Sequence, residues 1–231
     1  MFVSQELRKK NIAEYLLYMW QVEDLIRAYD CSLSKIRREY IERFDYTDEQ
    51  KEEMTDWYGD LLRMMNQEGC REGGHLQINQ IVLQQLVELN AQLLSSSKFP
   101  FYNSEYYKVL PFIVELRQKT GDRRQETGDR RRETGDGRQE TGDGRREAGD
   151  RRQETGDRRR ETGDGRWEMG DGREESEIET CFNALYGVMM LRLQKKEISQ
   201  NTLHAIKEIT TFIGMLSDYY QKDKNEGLEF E

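Results

Sequence analysis

Histidine and proline are nearly missing from this chain, with two of each among 231 residues, and both scarcities exclude something. With only His75 and His204, chemistry built on an imidazole acid or base has few places to start. With only Pro100 and Pro111, most of the chain is free of the residue that interrupts helices. Cysteine is sparse too. Cys31, Cys70 and Cys181 lie far apart, are odd in number and show no CxxC spacing, which excludes a disulfide frame and suits reduced, mostly buried thiols in the cytoplasm. No apolar run approaches the roughly 18 to 20 residues of a membrane span; VMML at Val188 to Leu191 is far too short. The opening MFVSQELRKKN turns charged within six residues and offers no apolar segment for export. Basic residues are in deficit, 36 against 45 acidic, for a net charge of −9, so a nucleic-acid surface is not expected.

Signatures of chemistry are missing as well. No GK[ST] cradle, no strand-preceded GxGxxG and no GxSxG elbow occurs. Glu72 and His75 have the Glu-x-x-His spacing of di-iron bundles, but Gly73 and Gly74 lie between them and no second copy exists. Met64 and Met65 read as core filler. His204 and Glu208, one turn apart, read as a surface pair. No catalytic residue, metal ligand or cofactor is expected from these patterns.

What the chain has in excess is a seven-residue phrase. From Thr120 to Glu175 it runs TGDRRQE, TGDRRRE, TGDGRQE, TGDGRRE, AGDRRQE, TGDRRRE, TGDGRWE, MGDGREE. A heptad suggests a coiled coil, yet a coiled coil needs apolar residues at two places in every seven, and here only Ala148, Trp167 and Met169 break the polarity. A single helix held by charge pairs is the next candidate. Glu126 to Arg130, Glu147 to Arg151 and Glu154 to Arg158 contribute about 0.2–0.5 kcal/mol each. Against them stand twelve glycines, each costing about 1 kcal/mol relative to alanine. The balance predicts a disordered or at most transiently helical insertion over 120–175. Its 15 arginines are interleaved with 17 acids, so an RNA tether is a weak reading. The phrase also has a nucleotide explanation. ACAGGAG written three times and read in codons gives ACA GGA GAC AGG AGA CAG GAG, which is TGDRRQE. Every departure from it except Met169 is a one-base change from that unit or its variants. The tract is therefore read as an expanded short DNA repeat lodged in a surface connection.

Outside the tract the chain reads as all-α: one bundle of about six to seven helices, with 1–119 and 176–231 forming a single domain around the long charged insertion. Ser4 to Tyr29 reads as one long helix whose core stripe holds Ile12, Tyr15, Leu16, Met19, Val22 and Ile26. Trp20 is expected as a packed indole beside a solvated acidic edge of Glu23 and Asp24, with Arg27 in water. A second helix covers Cys31 to Phe44, capped at Ser32 or Ser34. A third starts at Thr47, where Gln50 completes a capping box, and stops at the glycines 69, 73 and 74. His75 to Ser95 is apolar on several sides, as a central helix would be. In FPFYNSEYYKVLPF, Asn103 or Ser104 is the candidate cap and Pro111 a kink or restart. Gly121 is a stop signal before the tract; Ser176 and Glu179 make a second capping box after it. The last helix, Ser199 to Lys222, has its seam at Ile206, Ile209, Ile213, Leu216 and Tyr220, and a tail expected to fray.

KNIAEYLLYMWQVEDLIRA, EGGHLQINQIVLQQL, SSKFPFYNSEYYKVLPFIVELR and ESEIETCFNALYGVMMLRLQKKEIS together resemble a family of small uncharacterised Bacteroidetes proteins, catalogued as domain of unknown function number 4924. The resemblance spans nearly everything but the tract. It implies an all-helical cytosolic protein of an anaerobic bacterium and carries over no activity or functional residue. Two functional readings are open. One is a non-enzymatic module that binds a protein partner or itself through the aromatic first helix or the isoleucine seam of the last. The other is a helical bundle with a ligand or reaction cleft near the aromatic 99–112 segment, with Trp20, His75, Tyr102 and Tyr106 as the candidate surface.

Overall fold

The computed structural model describes residues 2–135 and 175–230. Residues 136–174 lie outside it, and with them the expectations of disorder, transient helicity or an RNA tether there. The described residues form eight α-helices and one 3-10 turn, with no strand: α1 (Phe2–Lys10), α2 (Ile12–Ala28), α3 (Leu33–Glu39), the turn Ile41–Arg43, α4 (Asp48–Gln67), α5 (Gln77–Ser95), α6 (Pro100–Gly135), α7 (Glu177–Leu193) and α8 (Gln200–Glu226). The chain divides into two units, Met1–Leu116 with Arg166–Glu231, and Arg117–Gly165. All-α is the observed class. Among the described residues no helix is long and apolar enough to cross a membrane.

In the first unit α2 packs against α4, α5 and α8, α5 also meets α7 and α8, and α3 lies on α4. The core stripe of α2 is buried as its spacing predicts, including Ile12, Leu16, Met19 and Ile26. So is the whole α8 seam, Ile206 through Tyr220. Both seams are thereby spent inside the chain. The two capping boxes form as written: the Thr47 hydroxyl accepts from the Gln50 amide at 3.3 Å and the Gln50 side chain accepts from the Thr47 amide at 3.1 Å. Ser176 and Glu179 do the same at α7. Gly69 ends α4 at φ 73°, a conformation that favours glycine.

Several expectations give way. The single first helix is two, because Asn11 turns extended (φ −151°) and its carboxamide oxygen accepts from the Ala13 and Glu14 amides. Ser217 of α8 donates to the same oxygen at 2.8 Å, so a tertiary contact holds the break. Ser32 caps α3 without a side-chain bond to it; its hydroxyl pairs with that of Ser34. α5 packs against α2, α7 and α8, as a central helix would, but Ile78 and Ile81 in its first turns face solvent. α6 starts at Pro100, not at Asn103 or Ser104, because proline's fixed φ and missing N–H suit the first helical position. The helix passes through Pro111 and beyond Gly121; glycine weakens a helix without removing a hydrogen bond from it. The C-terminal tail is tied down. Leu228 and Phe230 pack on the core, and the Phe230 ring meets Phe99 at 5.7 Å.

The second unit is described only over its first part, where the backbone of residues 117–135 is helical.

Candidate functional site

The richest polar constellation sits where α2 meets the 68–76 connection and the start of α5. Trp20, Glu23, Asp24 and Arg27 occupy successive turns of α2, at the three- and four-residue steps that place side chains on one face. Sequence reasoning expects the acids and Arg27 in water. Instead Glu23 is wholly buried and the Arg27 side chain is 13 % exposed.

The reason lies in α5. Its N-cap is Leu76, which has no side chain able to accept a hydrogen bond, so the first amides of the helix need acceptors from elsewhere. Glu23 supplies one: its Oε1 accepts from the Leu76 amide at 3.0 Å and from Asn79 Nδ2 at 2.6 Å. Glu68 supplies another, accepting from the Gln77 amide at 2.7 Å. The negative charge also lies at the positive end of the helix dipole. The second oxygen of Glu23 is 2.6 Å from His75 Nδ1, and the imidazole stacks on the Trp20 indole at 4.1 Å and 12°.

Arg27 works beside it. Its guanidinium donates to Asp24 at 2.8 Å, to the Cys70 carbonyl at 3.0 and 3.3 Å, and to the Gly74 carbonyl, fixing both ends of the connection. From α7 the Tyr186 hydroxyl bonds the Asp24 carboxylate and reaches the Trp20 carbonyl at 3.3 Å. Burial, followed by the Asp24 hydrogen bond and charge, pushes the Tyr186 phenol up. Burial, followed by the charges of Glu68 and Glu23, pushes the Cys70 thiol up, away from the thiolate form that acts as a nucleophile. Glu23 bonds three partners inside the fold. Chemically, the arrangement is a clamp that caps a helix and pins a connection.

The four candidate surface residues fall into two groups. Trp20 and His75 are brought together in this clamp. Tyr102 is fully buried on α6, donates to Asn90 Oδ1 at 2.7 Å and packs against Phe212 and Tyr219. Tyr106 lies half-buried beside it against Phe212. Burial pushes the Tyr102 phenol upward. Among the described residues no group of three or more His, Cys, Asp or Glu could hold a metal ion. The surface pair expected of His204 and Glu208 is replaced. Glu208 takes Lys108 of α6 at 2.6 Å, and that hydrogen bond lowers its carboxyl, while His204 lies edge-on to Phe112. A cleft of about 110 Å³ between α5 and α8 is lined by Gln85, Glu88, Leu89, Gln92, Tyr220, Asp223 and Lys224, a mostly polar set that includes none of the 99–112 aromatics.

Asn79 and Tyr186 are the members sequence reasoning missed, and Glu23 and Arg27 are those it placed in water. A signal for Glu23 exists: a helix that opens on Leu76 without a capping side chain has to borrow an acceptor, and Glu23 neighbours the core stripe.

The other surface feature is α6. Its inward positions, Tyr102, Val109 and Ile113, are buried, yet large apolar side chains are exposed on it as well, among polar ones such as Ser104 and Lys108. Phe101 and Tyr107 are each 67 % exposed and Val114 45 %, with Pro100 and Pro111 exposed among them.

The family model described as "Domain of unknown function (DUF4924)" matches residues 1–129 and 166–227. No curated protein and no solved structure matches the chain.

Proposed function

The chain belongs to the family described as Domain of unknown function (DUF4924), and from that premise we propose that it is a non-enzymatic helical interaction module, docking a protein partner or a second copy through the outward face of α6. One observation carries this reading: Tyr107 and Val114, two turns apart on one row of α6, and Phe101 near the start of the helix stand in solvent, while its inward positions already fill the core. Aromatic side chains dominate the energetics of protein interfaces, and exposed aromatics interspersed with polar groups such as Ser104 and Lys108 have the make-up of a partly polar interface. The α2 and α8 seams are buried, which moves the docking surface from those helices to α6. The polar clamp of Glu23 serves the fold rather than a partner.

Site-specific photocrosslinking tests the reading. A benzophenone amino acid at Tyr107 in the full chain, expressed in the source organism, is expected to give one discrete adduct, either a second copy or one other protein. The same group at Glu53 on α4, an exposed position, is expected to give none. Equal, diffuse labelling from both positions, or none from Tyr107, would overturn it.

A further inference from the structure

We propose that the tandem tract makes the gene a reading-frame switch, in which gain or loss of one seven-nucleotide unit turns production of the folded protein off or on. The eight heptapeptides occupy 56 residues, the length of 24 seven-nucleotide units that would follow ACAGGAG with scattered base departures. Arrays of short identical units change length when the copied strands slip. Because seven leaves a remainder of one on division by three, adding or removing one unit shifts the frame of everything downstream. Only a step of three units preserves it.

The tract does not register the slip. ACAGGAG read in any of its three frames yields the same seven codons in rotated order, and none is a stop, so the heptapeptide continues in every frame. The effect falls on the residues after Glu175, which form α7 and α8. Of the 33 buried apolar residues among those described, ten belong to these two helices, Phe182, Ile209, Phe212 and Leu216 among them. Out of frame, Trp20 loses Phe182 and Tyr186, Tyr102 loses Phe212 and Tyr219, and Asn11 loses Ser217. A chain without these partners cannot close its core. Two of every three tract lengths therefore produce no folded protein, and the third restores it without any change to the rest of the gene.

The position of the tract fits this use. It begins within α6 and ends just before α7, at a connection where added length is tolerated in the frame that folds, yet upstream of helices the fold requires. Length variation is harmless in one frame and decisive in the other two.

The test is to sequence the tract from many single colonies of the source organism and to blot the same colonies with antibodies to an α4 peptide and an α8 peptide. The proposal expects ACAGGAG-type codons, lengths differing in steps of seven nucleotides, α8 signal only at lengths that keep the frame, and reversion between the two colony types. Codons scattered over synonymous choices, a tract of fixed length, or lengths that change only by 21 nucleotides would each overturn it.

Discussion

Replacing Glu23 isolates the clamp, because three groups from the far side of a connection converge on one carboxylate. Glu23→Ala leaves the Leu76 amide and Asn79 Nδ2 without their acceptor and His75 without its 2.6 Å partner. A buried polar group stripped of its partner costs about 1–3 kcal/mol, and removing one member of a buried charged network costs about 3–5 kcal/mol. We expect a loss of about 3–5 kcal/mol for Glu23→Ala. Glu23→Gln keeps the shape and one acceptor oxygen. It gives up the charge at the start of α5, about 0.3–1 kcal/mol and up to about 2 where partly buried, and weakens charge-assisted bonds to neutral ones. The expected loss is about 1–2 kcal/mol. At about 2–4 °C per kcal/mol for a body of this size, the two variants should melt about 6–20 °C and about 2–8 °C below the parent. Urea unfolding followed by circular dichroism gives the free energies. Amide exchange at Leu76, Gln77 and Asn79 shows whether the loss is centred on the start of α5. A cost for Glu23→Ala under about 1 kcal/mol, below that of even one stripped polar group, or no larger than the cost of Glu23→Gln, would refute the clamp.

Three further outcomes are expected of the same structure. Asn11→Ala removes the cap of α2 and the acceptor for Ser217 and should destabilise by about 0.5–2 kcal/mol, read by urea unfolding. Ser217→Ala added to it should cost less than it does in the parent. Tyr58, Tyr102 and Tyr186 have phenols raised mainly by burial, so the folded state holds their protons while the unfolded chain releases them near about pH 10. Their contribution is complete below that pH and is lost above it; stability should fall above about pH 10, less steeply in Tyr58→Phe and Tyr102→Phe, as thermal melts across about pH 8–12 would show. Tyr107→Asp, in contrast, should leave the melting temperature within about 2 °C of the parent, since its side chain meets solvent and surface changes stay within about 0.5 kcal/mol, while abolishing the adduct that the same benzophenone group, placed at Val114 on the same row of α6, is expected to give.

How much of this was legible in the sequence depends on the range of the force concerned. Local patterns held: Thr47 with Gln50 and Ser176 with Glu179 cap their helices because both partners lie within four residues, and the α8 seam follows from helical period alone. Features set by distant partners did not show. The break at Asn11 is held by Ser217, 206 positions away, and Glu23 is drawn inside by amides 53 and 56 positions along the chain. No window of sequence contains both sides of such a contact. Arg27 misleads for a similar reason, since a long cationic side chain suggests water until carbonyls such as those of Cys70 and Gly74 surround it. The candidate surface divided because Trp20 and His75 meet across α2 and the 68–76 connection, while Tyr102 was drawn into the core by Phe212.

Beneath all of these lies one expectation: the helices before the tract and the two after it, which group into one compact unit, should fold together across a connection whose length matters little to them. Removing residues 130–165, the stretch between the two matched segments of the family, shortens that connection at a change of less than about 1 kcal/mol by the logarithmic loop rule. Thermal unfolding of the deleted and full chains, followed by the helical circular dichroism signal, is the direct comparison. One cooperative transition is expected in both, with midpoints within about 3 °C; a deleted chain that is unfolded, or that melts in two separate steps, would contradict it.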